Sequence, residues 1–162
     1  MIRRIMLLFA GVALLALSLA PVVQAQGQGG APEDFGYELT INPGDYPGTC
    51  SFPVILETSG KIKTIELPHG TTLITFPGLK ATLTNPATGT SETYSVTGAN
   101  RVLPLEGNIQ VTELTGRNLL LDPVAGFVVA SGNFSFAFDA EGNLVQPLEG
   151  EGQLIDVCEA LA

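Results

Sequence analysis

The sequence predicts an all-β fold, an antiparallel sandwich or barrel of about 8–10 strands. Three observations favour it. No helical periodicity of useful length follows the N-terminal segment, and short apolar or alternating runs recur between turn residues. The chain's two cysteines, Cys50 and Cys158, stand near the two ends of this region, so we expect a disulfide to join its terminal strands.

The first half of this region contains five predicted strands. SFPVILET and KIKTIEL flank a tight turn at Ser59-Gly60, and TTLITF follows PHG. LKATLTN then meets TSETYSVTG across Pro86–Gly89, where Pro and Gly occupy turn positions. In the second arm of this hairpin Tyr94 and Val96 alternate with hydroxyl residues, so we expect one buried face and one solvated face.

The second half continues the pattern. RVLPL and NIQVTEL come first, and RNLLLDPVAG reads either as a strand or as a covering loop. FVVASGNFSFAFD forms a predicted hairpin with NLVQPLEG through Ala140–Gly142, and GQLIDVCEAL closes the chain. Phe134, Phe136 and Phe138 share one face of their strand. We interpret them as core rather than as a ligand platform, because aromatic side chains bury large apolar areas.

Two segments resemble each other. VLPLEGNIQV and VQPLEGEGQL, which begin at Val102 and Val145, share the run Pro-Leu-Glu-Gly. A duplicated strand–turn–strand unit is one interpretation, and two similar but unrelated turns are the other. We favour the second, because the flanking residues show no similarity.

The chain divides into three predicted parts. Residues 1–25 read as a secretory signal peptide, with Arg3 and Arg4 before a long apolar run and a small residue, Ala25, at the cleavage site. The alternative is a membrane anchor, but a polar Gln/Gly tract follows instead of a basic flank. Residues 26–49 are rich in Gly and Pro and predict a linker or arm, in which YELTI is one short strand candidate. Residues 50–162 form the single predicted β-domain.

The charge of the chain disfavours two classes of partner. The full sequence carries a formal charge of −9, and loss of Arg3 and Arg4 with the signal peptide lowers it to −11. Such a surface repels nucleic-acid phosphates and anionic lipid. We therefore predict no nucleic-acid binding and no membrane insertion after cleavage.

No catalytic, cofactor-binding or metal-binding residue can be selected from the sequence. His69 is the only histidine, so the chain offers too few His and Cys ligands for a zinc site. Neither Gly-x-Ser-x-Gly nor a phosphate-binding glycine loop occurs. Asp139–Asn143 is a candidate calcium loop, but it lacks EF-hand spacing and is interpreted as a hairpin turn. Glu149 and Glu151 are a candidate carboxylate pair on one side of a strand, and Asn133-Phe134-Ser135 matches a glycosylation sequon.

The two cysteines predict a structural disulfide. After export they meet an oxidising compartment, where an even pair forms a bond. Linking residues about 100 apart destabilises the unfolded chain by roughly 4–5 kcal/mol in the chain-entropy treatment. The bond also requires the Cα atoms of Cys50 and Cys158 to lie about 4–7 Å apart.

Three stretches resemble a known group of proteins. The run CSFPV, the hairpin LTNPATGTSETYSVTG and the closing DVCEAL are similar to those of small secreted bacterial β-proteins without a characterised activity. The resemblance spans residues 50–160 and implies an exported β-domain, while implying no activity.

Three functions are compatible with these observations. The first is a secreted, non-enzymatic β-domain that acts as an interaction module in the envelope or outside the cell, with an unknown protein partner. The second is a closed barrel that binds a small apolar ligand. The third is a barrel enzyme, such as an isomerase or cyclase, whose pocket would contain polar groups such as Glu57, Tyr94 or Asp139.

Overall fold

The computed structural model describes residues 30–162, so the predicted signal peptide lies outside the described residues. Nine antiparallel strands make up most of the structure. They are β1 (Glu33–Ile41), β2 (Val54–Glu66), β3 (Thr72–Thr75), β4 (Lys80–Thr84), β5 (Ser91–Ser95), β6 (Ala99–Val102), β7 (Ile109–Asp122), β8 (Gly126–Asp139) and β9 (Leu144–Asp156). A 3₁₀ turn spans Pro68–Gly70, and the short helix α1 spans Val157–Ala160. The predicted all-β class is confirmed.

Strand β2 belongs to two parts of the sheet. Its first part lies between β1 and β4, and β5 extends this side, which we call sheet A. Its last residues pair with β3, and β6, β7, β8 and β9 follow in that order as sheet B. Strands β5 and β9 end the sheet order without pairing to each other, so the sheet is open. The barrel alternative is therefore wrong, because the sheet does not close.

Two predicted breaks in the strands are also wrong. Ser59-Gly60 is not a turn, because β2 continues through it and pairs with β1 on both sides. Likewise NIQVTEL and RNLLL join through Gly116 into the single strand β7. Glycine is a common turn residue, but here it lets a continuous strand bend.

A row of glycines bends sheet B. Gly116, Gly132 and Gly152 lie directly opposite one another on β7, β8 and β9, and Gly132 has a φ of 150°. The strands fold back beyond this row, as the hydrogen bond from the Leu148 N–H to the Asp122 carboxylate at 3.2 Å indicates. In a straight sheet these residues would lie about 30 Å apart along β8.

The bend creates two hydrophobic cores. The larger lies between sheet A and the first residues of β8, where Val54, Leu83 and Val129 are fully or almost fully buried. The smaller, with Leu114, Ala130 and Phe134, contains residues from both sides of the glycine row. Phe134 is buried and Phe136 packs on the same cluster, which confirms their interpretation as core residues. Phe138 is half-buried and contacts Phe136 edge to face, but it belongs to neither core, so its interpretation is not confirmed.

Both clear hairpin predictions are confirmed. Strands β4 and β5 pair in continuous register across Pro86–Gly89. Strands β8 and β9 meet at Asp139–Asn143, where both carboxylate oxygens of Asp139 accept hydrogen bonds from Asn143. The candidate calcium loop is thus a hydrogen-bonded turn.

The similar segments have different structures. Residues 102–111 turn between β6 and β7, with a bridge between Glu106 and Ile109, whereas residues 145–154 lie within β9. The two segments are therefore not superimposable hairpins. This agrees with the favoured interpretation, in which the two stretches are unrelated.

The segment predicted as a linker or arm, residues 26–49, requires a correction. Residues 33–41 form β1, which pairs with β2 over its whole length, so folded structure begins before Cys50. The alternation of Phe35, Tyr37, Leu39 and Ile41 with mainly polar residues is a strand pattern, but the neighbouring Gly and Pro obscured it.

Cys50 and Cys158 form the predicted disulfide, with Cα atoms 5.3 Å apart. The bond joins the loop before β2 to α1, which follows β9. Strands β2 and β9 are not neighbours in the sheet order, so the bond ties sheet A to the C-terminal segment through the larger core.

Candidate functional site: a free sheet edge and an open groove

The sheet has three edge strands, and two of them show features that disfavour pairing with a further strand. β9 contains Pro147 and two register shifts, and its Leu148 N–H is already bonded to Asp122. β5 is only five residues long. Prolines, bulges and short length are the usual means by which proteins protect sheet edges.

The edge of β1 lacks these three features, and acidic side chains are the protection of this kind that it carries. Over nine residues β1 pairs with β2 in unbroken register, and it contains no proline. Among the described strands, β2 is its only partner. The Tyr37 N–H points toward β2, where it donates to Thr58 Oγ1 at 3.1 Å. Backbone groups alternate in direction along a strand, so those of Gly36, Glu38 and Thr40 point to the open side.

One face of β1 is apolar. Phe35 and Tyr37 pack against the larger core and contact each other edge to face, with ring centroids 5.3 Å apart. Burial raises the pKa of the Tyr37 phenol. Next along the same face, Leu39 remains 36% exposed. Leu39 is thus an exposed apolar side chain beside the open edge, whereas Ile41, which follows it on this face, is buried.

The other face of β1 is acidic. Glu38 lies directly opposite Glu57 on β2, and both side chains are exposed. Like charges in directly opposed positions destabilise a sheet. Asp34 is paired with Lys61 at 3.0 Å, but within residues 30–162 no salt bridge reaches Glu38 or Glu57. This face therefore carries two uncompensated carboxylates beside the open edge.

A groove of about 350 Å³ with a mixed lining, which includes Leu114 and Phe134, lies on sheet B. Glu113, Ser135 and Glu149 line it and lie side by side on β7, β8 and β9. Glu113 also contacts Arg101 at 3.5 Å, and the Ser135 hydroxyl accepts a hydrogen bond from Gln146 at 3.1 Å. The groove is open and carries two carboxylates, so it does not suit an apolar ligand.

The acidic charge is unevenly distributed along the chain. The segment from Asn118 to Ala162 contains no Lys, Arg or His, whereas its acidic residues are Asp122, Asp139, Glu141, Glu149, Glu151, Asp156 and Glu159. All five Lys and Arg residues within residues 30–162 therefore lie on β2, β4, β6 and β7, and β8 and β9 have none.

Of the other sequence candidates, the structure brings Asn133 and Glu151 directly opposite each other on β8 and β9 and does not gather the rest. His69 is exposed in the 3₁₀ turn with a φ of 66°, and Glu151 lies two residues beyond Glu149 on β9. Asn133 is exposed and lines the groove. Glu57 and Tyr94 lie on different strands, β2 and β5. Within residues 30–162 no three His, Cys, Asp or Glu side chains gather into a metal-binding group.

Comparison with known proteins gives no family for this chain. No family model, no curated protein and no solved structure matches it. None of the helices in residues 30–162 has the length and apolar character needed to cross a membrane.

Proposed function

We propose that the chain is an exported, non-enzymatic β-domain that binds a protein partner in the envelope or outside the cell. The sequence supports export through its signal-peptide pattern. The Cys50–Cys158 disulfide fits an oxidising compartment. The acidic charge keeps such a domain soluble and disfavours nucleic acid and anionic lipid as partners.

The free edge of β1 carries this proposal. It combines three features that a polypeptide partner uses: open backbone hydrogen-bonding groups, an exposed apolar side chain at Leu39, and uncompensated charge at Glu38. Strand addition to an open edge is a general mode of polypeptide recognition.

The apolar-ligand and enzyme alternatives lose their main support. Both depended on a closed barrel enclosing a cavity, and the sheet is open. The groove on sheet B contains Leu114 and Phe134, but an apolar ligand there would also cover the carboxylates of Glu113 and Glu149, which costs free energy.

Native mass spectrometry of the chain purified from its own culture medium tests the proposal. We expect a fraction of the chain to retain a polypeptide, which dissociates at high salt because charge contributes to the contact. Retention of a small apolar molecule instead would support the alternative. Repeated isolation of the bare chain alone, even after mild cross-linking of the culture, would contradict the proposal.

A further inference from the structure

We infer that the β1 edge binds an extended segment of a partner protein in which basic and apolar side chains alternate. This inference rests on the proposed function and names the site and the chemistry of the partner. The segment would add to sheet A as a strand beside β1, opposite β2.

The backbone of β1 supplies hydrogen bonds that do not depend on the sequence of the partner. Gly36, Glu38 and Thr40 direct their N–H and C=O groups to the open side, since Tyr37 faces β2. An added strand would pair with these groups as β2 pairs with the other side. Main-chain bonds of this kind give affinity without sequence preference.

The two faces of β1 determine which side chains the added strand should carry. Side chains of an added strand alternate between the faces, as those of β1 do. On one face they would cover Tyr37 and Leu39, so apolar residues fit there. On the other they would stand beside Glu38, whose carboxylate already faces that of Glu57, so Lys or Arg fits there.

Charge argues against a second copy of the chain as the occupant. β1 itself carries Glu33, Asp34 and Glu38 and no basic residue. Pairing of two β1 strands would place six carboxylates along one two-stranded ribbon and would leave Glu38 and Glu57 uncompensated. A basic partner strand would neutralise the same surface.

A synthetic peptide of nine residues, the length of β1, tests the inference on the full exported chain. The probe alternates Lys with Val and is capped at both ends, and a matched peptide alternates Glu with Val. We expect the Lys peptide to bind and the Glu peptide not to bind. Because the contact includes charge, we expect affinity to fall at high salt. Equal binding of both peptides would overturn the inference.

Two pairs of variants locate the site. Replacing both Glu38 and Glu57 with Gln should weaken binding of the Lys peptide by about fivefold, since exposed charge pairs are individually weak. Glu92→Gln on β5, at the other end of sheet A, should leave affinity unchanged. Thr40→Pro removes one open N–H and should weaken binding by about tenfold or more, whereas Thr40→Val should not.

Hydrogen exchange on the unaltered chain gives an answer that does not depend on how the variants fold. Bound Lys peptide should slow exchange at Gly36, Glu38 and Thr40. Protection at β5 or β9 instead, or dimerisation of the chain without peptide through β1, would overturn the inference. If native mass spectrometry shows a retained polypeptide while β1 stays unprotected, the proposed function stands and only this site is wrong.

Discussion

Two buried polar side chains, Asn85 and Asp122, form hydrogen bonds to residues that are distant in the chain. Asn85 is buried, and its side-chain amide donates to the Leu161 carbonyl at 3.0 Å while its oxygen accepts from the Ala87 N–H. Asp122 is buried and accepts from Val124, Ala125 and Leu148. Neither role was visible in the sequence, because the partners are distant in the chain or depend on the bend of sheet B. The local signal, Asn before Pro in a turn, pointed only to the hairpin.

Asn85→Ala should destabilise the domain by about 1–3 kcal/mol, because it leaves the buried Leu161 carbonyl without its donor. Urea denaturation followed by circular dichroism measures this change. Ser95→Ala, on an exposed position of the neighbouring strand β5, is the control and should shift stability by no more than about 0.5 kcal/mol. Equal stability of the two variants would contradict the role assigned to Asn85.

Asp139 should titrate below its ordinary range. Hydrogen bonds from the Asn143 side chain, and then from backbone N–H groups, lower the pKa of its carboxyl. A lowered folded pKa means that the charged form contributes stability above the unfolded pKa of about 3.9 and loses it as pH falls through the folded value. The β8–β9 turn should therefore weaken only in strong acid.

Carboxyl-carbon NMR measures the Asp139 midpoint directly. In Asn143→Ala the backbone bonds stay but the side-chain donor is gone, so the midpoint should rise toward the ordinary value. A midpoint at or above that value in the unaltered chain would contradict the turn geometry.

At the scale of elements, the hairpins followed from sequence and the long strands did not. Pro86–Gly89 and Ala140–Gly142 are turns because their residues favour turns locally. Gly60 and Gly116 have the same local signal but lie inside strands, because pairing with neighbouring strands decides whether a glycine turns or bends the chain. The β1 edge was missed for a related reason: strand pairing is a long-range property, and the surrounding composition resembles a linker.

The glycine row should be intolerant of side chains. A Cβ at Gly132 would lie against the Glu151 carbonyl and the Gly152 Cα, which are backbone atoms of the paired strand β9. Gly132→Ala should therefore destabilise the domain by about 3 kcal/mol or more.

Gly142→Ala is the matched control for this prediction. Its φ is 82°, yet a Cβ there would meet nothing within 4 Å. It should cost only about 1–2 kcal/mol from backbone strain. Thermal or urea unfolding compares the two, and a Gly132→Ala loss no larger than that of Gly142→Ala would contradict the close packing of the bend.

At the scale of the whole molecule, a disulfide links the loop before β2 to the C-terminal helix α1. Cys50 and Cys158 are 108 residues apart, and Val157 and Leu161 beside Cys158 are fully buried in the larger core. The disulfide was predictable because only two cysteines exist, but its placement between a loop and α1 was not, since the sequence showed no helix there.

Replacing both cysteines with Ser should lower the free energy of unfolding by about 2–5 kcal/mol, because the unfolded chain gains conformational freedom. Urea denaturation measures the loss, and reduction and alkylation of the unaltered chain is the matched control that should give a similar loss. An unchanged denaturation midpoint after either treatment would contradict the stabilising role of the bond.

The central claim is that the domain binds a protein partner through the free edge of β1. Site-specific photo-crosslinking in the living host tests it most directly, with the reactive group at Thr40 on β1 or, as the control, at Ser95 on β5. We expect a polypeptide adduct from Thr40 but not from Ser95, joined through a segment in which basic and apolar residues alternate. Adducts from neither position, or equally from both, would contradict it.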